Sequence, residues 1–124
     1  MLVYGPLAHG LLAGQMTPST TFAADDWRSK SPDFTGENFQ WNLTVVERLK
    51  RVAEQREITL PQLAVAWTLA NPAMQVAIVG APRVAELDET AVAADIDLSD
   101  ADLKEIDEIL TDAVPVQGPR PEGM

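Results

Sequence analysis

Two stretches of this sequence carry residue types suited to binding an anion. In "VAIVGAPRVAELDE" an apolar run stops at Gly80, and Arg83 follows where a helix begins. A helix N-terminus presents free backbone N–H groups and partial positive charge, and an arginine there adds a forked donor for phosphate. In "VYGPLAHGLLAG" a short apolar run ends at Gly5-Pro6, and a small-residue loop closes on Gly10 and Gly14. On the pattern alone a second reading stays open, in which Gly5, Gly10 and Gly80 serve tight turns and nothing more. The remaining groups offer less. The single histidine, His9, lies in the first glycine loop, where a lone imidazole is expected to face solvent. Asp25 with Asp26, and Asp100 with Asp102, resemble paired carboxylates but read as charges at helix entries.

These groups need elements to hold them. Leu2, Val3 and Tyr4 read as a short strand entering the glycine loop at its C-terminal end. From Gln15 to Gly36 the chain is rich in Thr, Ser, Pro and Asp, with "DDWR" the one expected helical turn in a long loop. From Glu37 to about Arg56, Phe39, Leu43, Val46, Leu49 and Ala53 recur at steps of three and four, with Glu47 and Arg51 four apart on the other side, which predicts an amphipathic helix. In "TLPQLAVAWTLANP", Thr59 and Gln62 have capping-box spacing, Pro61 suits a first turn, and Asn71-Pro72 ends the element. Its interior from Leu63 to Ala70 is apolar nearly all round, so this helix is expected to be buried.

Val76 to Val79 reads as a second strand, continuous in apolar character and stopped by Gly80. A helix from about Val84 to Ala93 follows, and another opens at Ser99, with Leu103, Ile106 and Leu110 on one face and acids in its first turn. Residues 1–110 form the folded portion in this reading, and 111–124 a Pro/Gly-rich tail. Residues 5–75 separate the two strands, so a hairpin is excluded and the strands must be parallel with a crossover. Two such strands alone leave apolar edges that natural domains avoid. In parallel barrels of alternating strands and helices, a phosphate site is often built from the loops after the seventh and eighth strands, a description that the two glycine segments match.

Composition excludes several classes of partner. The chain has 124 residues, of which 46% are hydrophobic, enough for a core. With 9 basic and 19 acidic residues its net charge is −10, which repels phosphate backbones and anionic lipid, so no nucleic acid or membrane partner is expected. The absence of cysteine fits a reducing compartment, and the cytoplasm is the expected location. The opening "MLVYGPLAHGLLAG" is apolar but lacks a basic leader region and contains Gly5-Pro6, so a secretory signal is not expected. No run approaches the ~20 apolar residues of a membrane helix.

Taken together and in order, "YGPLAHGLLAG", "DDWRSKSPDFTGENFQWN", "LAVAWTLANP" and "VAIVGAPRVAELDE" resemble the C-terminal part of an aldo-keto reductase of the bacterial type, a family that includes the potassium-channel β-subunits. The resemblance runs from Leu2 to about Leu110. It implies an α/β fold, the C-terminal fragment of a (β/α)8 TIM barrel, in which this chain supplies the seventh and eighth strands with their helices. The earlier strands are then expected in an N-terminal barrel portion that would be this chain's partner.

The resemblance also implies a nicotinamide coenzyme, NADP(H), and a small carbonyl substrate reduced by hydride transfer. Tyr4 is similar in position to the aromatic that stacks on the nicotinamide ring; its other reading is a core tyrosine. Pro6, Leu7, Gly10 and Leu11 match the loop that wraps the pyrophosphate, mostly through backbone groups. Gly80 and Arg83 match the segment around the adenosine 2'-phosphate, Arg83 as a solvated charge being the alternative. Glu89 matches an acid beside the adenine amino group. Glu86 stands where the family has Gln or Arg, and Thr90 where it has Asn, both within the expected coenzyme site. A carboxylate near the phosphate opposes dianion binding, so NAD(H) stays open beside NADP(H). The family's catalytic Tyr, Lys, Asp and His belong to the N-terminal portion; no residue here is assigned a catalytic role, and the chain alone is expected to be inactive. A non-catalytic, nicotinamide-sensing regulatory subunit, as in the channel β-subunits, is the alternative function.

Overall fold

The computed structural model describes residues 2–4, 6–74, 76–78 and 84–114. Strand β1 (Leu2–Tyr4) leads through a 3-10 turn (Leu11–Ala13) and a second one (Trp27–Lys30) to helices α1 (Gly36–Gln55) and α2 (Leu60–Ala70). Strand β2 (Val76–Ile78), helix α3 (Val84–Ala91), a 3-10 turn (Val92–Asp95) and helix α4 (Asp100–Leu110) complete the order.

The three-and-four periodicity of α1 buries Phe39, Leu43, Val46, Leu49 and Ala53 as read from the sequence, and widens the stripe with Asn42, Val45 and Val52. Its other face carries Glu47 and Arg51, both exposed as read, and a Lys50–Glu47 ion pair at 2.9 Å, three residues apart. The helix closes without a glycine. Glu57 takes the left-handed conformation (φ 57°), its N–H donates to Glu54 O at 3.0 Å, and Ile58 N–H donates to Ala53 O at 3.0 Å. That is the six-to-one, five-to-two pattern of a Schellman cap.

Thr59 and Gln62 form the reciprocal capping box that opens α2, with Pro61 in the first turn. Leu60, Leu63, Ala64, Val65, Ala66 and Thr68 are buried, and the Thr68 hydroxyl is satisfied by Ala64 O at 2.9 Å. Burial is not complete all round as expected: Trp67 stays 37% exposed, its indole N–H at 3.4 Å from Asp107 Oδ1 of α4, so the polar edge of the ring remains at the surface. Asn71 then turns the chain, its Oδ1 accepting from Ala73 N–H at 3.0 Å.

The strands pair in parallel, Leu2 opposite Val76, Val3 opposite Ala77 and Tyr4 opposite Ile78. After β2, α3 is α-helical only to Ala91 and tightens into 3-10 geometry to Asp95, burying Ala93. In α4, Ser99 and Asp102 make a second capping box, and Asp102 also pairs with Arg56 at 3.3 Å, tying this helix start to the end of α1. The buried residues of α4 are Ile106 and Ile109, while Leu103 and Leu110 are half-buried; the face turned to α1 is thus rotated from the expected one. One core joins α1, α2 and α4 and takes in Leu11 and Phe34 from the loops. No helix among the described residues is long and apolar enough to cross a membrane.

Residues 111–114, the start of the Pro/Gly-rich tail, are fastened to α1. Asn42 donates to Val114 O and accepts from Val114 N–H, both at 2.8 Å; the Trp41 indole donates to Asp112 O, and Arg48 pairs with the Asp112 carboxylate at 2.7 Å.

Candidate functional site

Because Tyr4 stands opposite Ile78 in a parallel pair, the two strands end level at one edge of the sheet, and residues 6–14 follow the first of them. This segment is a wound turn. Leu7 O accepts from Gly10 N–H at 3.1 Å and Leu12 N–H at 3.0 Å, and Ala8 O accepts from Leu11 N–H at 3.2 Å. Ala8 (φ 50°), His9 (φ 58°) and Gly10 (φ 95°) are left-handed in succession. For the alanine and the histidine this conformation costs roughly 1–2 kcal/mol each, so the turn needs support from its surroundings. Leu11 supplies some of it, buried among α1 and α2 residues in the core. At Gly14 (φ 81°) a Cβ would come within 3.1 Å of Lys50 Cε and 3.3 Å of Leu60 Cδ2, which fits the loop against both helices.

The long loop from Gln15 to Thr35 leans over this turn. Arg28 donates to His9 O at 2.8 Å and grips Asp26 through Nε, at 3.1 Å from each carboxylate oxygen, and through a second nitrogen at 2.6 Å from Oδ2. Its guanidinium carbon lies 4.5 Å from the centre of the Phe22 ring. The Trp27 ring meets the His9 ring edge to face at 5.0 Å and the buried Phe34 ring at 5.6 Å. The Arg28 side-chain and backbone hydrogen bonds hold the Asp26 carboxyl below its ordinary range. An open depression of 540 Å³ lies between His9, Ala23, Asp25, Asp26, Trp27 and Arg28.

The profile of the aldo/keto reductase family matches residues 1–111. The chain belongs to the aldo/keto reductase family. It is 36% identical over 123 residues to an aldo-keto reductase of Schizosaccharomyces pombe whose name specifies NADP(+), covering 99% of this chain and 36% of that protein. A putative voltage-gated potassium channel subunit beta of the same yeast is 35% identical over 118 residues, covering 87% of this chain and 33% of that protein. Among solved structures, the glycerol dehydrogenase of Gluconobacter oxydans superposes with a TM-score of 0.84 at 33% identity, over 97% of this chain and 36% of that one. The chain spans about a third of the length of these relatives. It corresponds to a fragment of an aldo-keto reductase barrel.

Within this aldo-keto reductase fragment, the residues read from sequence fall into two groups. Pro6, Leu7 and Gly10 are half-buried and Leu11 is buried, all in the turn after β1. Glu89 and Thr90 are half-buried at the C-terminal end of α3, where Glu89 O accepts from the Gln62 side chain at 2.9 Å. Helix α2 joins the groups, because the Leu11 turn packs on it and Gln62 fastens α3 to it. Gly80 and Arg83 lie outside the described residues, as do the side chains of Tyr4 and Glu86.

His9 departs from the solvent-facing histidine expected, since its ring is half-buried against Trp27. Sequence reading also gave Arg28 no part in the site. The local signal was present: Asp26 two residues before Arg28 has the spacing of a side-chain-capped turn, and Asp26 Oδ1 does accept from Arg28 N–H at 2.9 Å. The nineteen-residue span from His9 to Arg28 had no such signal.

Proposed function

We propose that this chain is the coenzyme-binding end of an NADP(H)-dependent aldo-keto reductase, its β1 and β2 serving as the seventh and eighth barrel strands. An N-terminal portion would supply the other strands and the residues that move the proton. The observation that carries this reading is the level, parallel pairing of β1 with β2, with Tyr4 opposite Ile78 at their ends. The NADP(+) in the name of the yeast relative supports the choice of coenzyme. When bound, the nicotinamide would supply the hydride that turns a carbonyl into an alcohol.

The described part of the site limits how such a ligand would be held. The amides from Gly10 to Gly14 all donate within the turn, to Leu7 O, Ala8 O, Gly10 O and Leu11 O, so these donors are already engaged. Gly10 and Leu11 therefore act through shape, not by donating these amides to the pyrophosphate. Tyr4 would stack on the nicotinamide, Gly80 and Arg83 would receive the 2'-phosphate, and Glu89 and Thr90 would border the adenine. Glu86, at i+3 from Arg83, would oppose the phosphate and compete for the guanidinium. The preference for NADPH over NADH is therefore modest.

The experiment joins this chain to the N-terminal portion of a relative and titrates both coenzymes at low salt. Arg83→Ala should weaken NADPH selectively, since a charge-assisted hydrogen bond is worth ~1.5–3 kcal/mol. Glu86→Gln should tighten NADPH and leave NADH nearly unchanged. Equal effects on both coenzymes would refute the assignment of these two residues. The likeness to a channel subunit beta favours a second reading, a nicotinamide-sensing regulatory subunit. A joined barrel that binds NADPH and reduces no aldehyde would support it.

A further inference from the structure

We infer that Arg28 is a positioning residue for the coenzyme loop: through the His9 carbonyl it holds the left-handed turn Ala8–Gly10 in shape, with Asp26 fixing the guanidinium. The inference rests on the coenzyme reading of that loop, which it deepens, and its evidence is the geometry of one contact. Two non-glycine residues in succession are left-handed, an arrangement that a chain abandons unless its surroundings hold it. The turn's own hydrogen bonds use the carbonyls of Leu7, Ala8 and Gly10. The His9 carbonyl, at the centre of the left-handed run, receives the Arg28 guanidinium at 2.8 Å.

That guanidinium is itself set in place before it reaches His9. Asp26 engages two of its nitrogens, the Phe22 ring lies beneath it at 4.5 Å, and only about a quarter of each charged side chain is open to water (27% for Arg28, 24% for Asp26). The planar fork of arginine serves the carboxylate and the carbonyl together, which the point charge of lysine does not. A Cβ at Gly10 would come to 3.3 Å from the same guanidinium nitrogen that bonds His9 O, so Arg28 also lies close beside the turn at Gly10. Trp27, one residue before, packs its ring against the His9 imidazole at 5.0 Å. Two neighbouring residues of the long loop thus grip one residue of the glycine loop, by backbone and by side chain. The loop from Gln15 to Thr35 thereby sets the conformation of the segment assigned to the pyrophosphate.

The test reads amide exchange in the 124-residue chain, and then NADPH affinity in the joined barrel. Arg28→Ala should speed exchange at Gly10, Leu11 and Leu12 about tenfold or more, as expected for loss of a hydrogen bond to a charged donor. The amides of α1 should stay unchanged. Arg28→Lys should recover part of this protection, and Asp26→Asn, which keeps Arg28 but loosens it, should give an intermediate rate. Exchange at these amides within twofold of wild type in Arg28→Ala would overturn the inference. Should Arg28→Ala disturb α1 as well, Arg28→Lys and Asp26→Asn decide: a rise confined to the turn supports the inference, and its absence overturns it. In the joined barrel Arg28→Ala should raise the NADPH dissociation constant at least severalfold, with partial rescue by Arg28→Lys. A loosened turn with unchanged NADPH affinity overturns the positioning role. A turn that loosens in a barrel that binds no NADPH upholds Arg28 as the support of the turn and refutes the coenzyme reading instead.

Discussion

Replacing Asn42 by alanine should free the chain after α4. The Asn42 side chain is 3% exposed and satisfies both main-chain groups of Val114 at 2.8 Å, as a neighbouring strand would. Each neutral hydrogen bond contributes about 1 kcal/mol net. Val114 is half-buried, so water can reach its N–H and C=O once the amide is gone, and the larger penalty for sealed-in polar groups does not apply. The expected loss is therefore about 2 kcal/mol, a factor of about thirty in the local opening equilibrium. The competing anchor is weaker: Arg48 and Asp112 are 42% and 50% exposed, and such pairs contribute at most about 1 kcal/mol. Hydrogen exchange at the Val114 amide reads this directly. Asn42→Ala should accelerate it about thirtyfold, and Asn42→Asp, which keeps an acceptor for the N–H but sets a carboxylate against the carbonyl, should retain part of the protection. The reasoning fails if Asn42→Ala stays within twofold of wild type, or if Trp41→Phe releases Val114 as fully.

Two further outcomes follow from single side chains. The Asp102 carboxyl lies below its ordinary 3.8, first through the Ser99 backbone N–H and then, against the cost of desolvation, through the Ser99 hydroxyl and the Arg56 charge. A depressed folded value means that its stabilisation is complete above the unfolded carboxylate range and is lost as pH falls through the folded value. Amide protection in the first turn of α4 should drop below about pH 4 in the wild type, while Asp102→Asn should lack that step; the same acid step in both proteins would refute the assignment. Gln62→Glu should keep the cap of α2, because Oε1 accepts from Thr59 N–H at 3.0 Å, but should lose the donor that holds Glu89 O at 2.9 Å. Exchange near Glu89 and Thr90 should then rise several-fold with α2 protection unchanged, and parallel loosening of both helices would count against a separate tether.

Legibility in the sequence followed the range of the interaction. The caps of α2 and α4 join residues three apart, Thr59 with Gln62 and Ser99 with Asp102, so spacing reveals them. The buried stripe of α1 is equally local, since helical period alone puts Phe39, Leu43 and Val46 on one face. The end of α1 was harder: its left-handed residue is Glu57, and nothing in a glutamate signals a cap. In α4, Ile109 replaces Leu110 on the buried face because the packing against α1, not the internal period, sets the rotation of the helix. The site divides along the same line. The glycine loop is visible as a turn from Gly10 and Gly14, whereas its support by Arg28 and the docking of Val114 on Asn42, seventy-two residues apart, depend on tertiary contact.

The apolar character of α2 has its cause in this arrangement. A helix on the outside of a barrel needs one buried face, yet α2 is apolar nearly all round. It is met on one side by the turn that carries Leu11, through Leu60 and Leu63, and its first turn holds α3 through Gln62. Both groups of candidate site residues therefore lean on one rigid element. A substitution that moves the body of α2 should shift the two groups together, whereas Gln62→Glu should release only the second. Arg28 bonds the His9 carbonyl in the turn of Ala8–Gly10, whereas Glu89 O is bonded by Gln62 of α2, so in the proposed role the loss of Arg28 would move one half of the site relative to the other. Under the coenzyme reading proposed above, a ligand that spans both halves depends on that separation, so the long loop is expected to bear on coenzyme affinity.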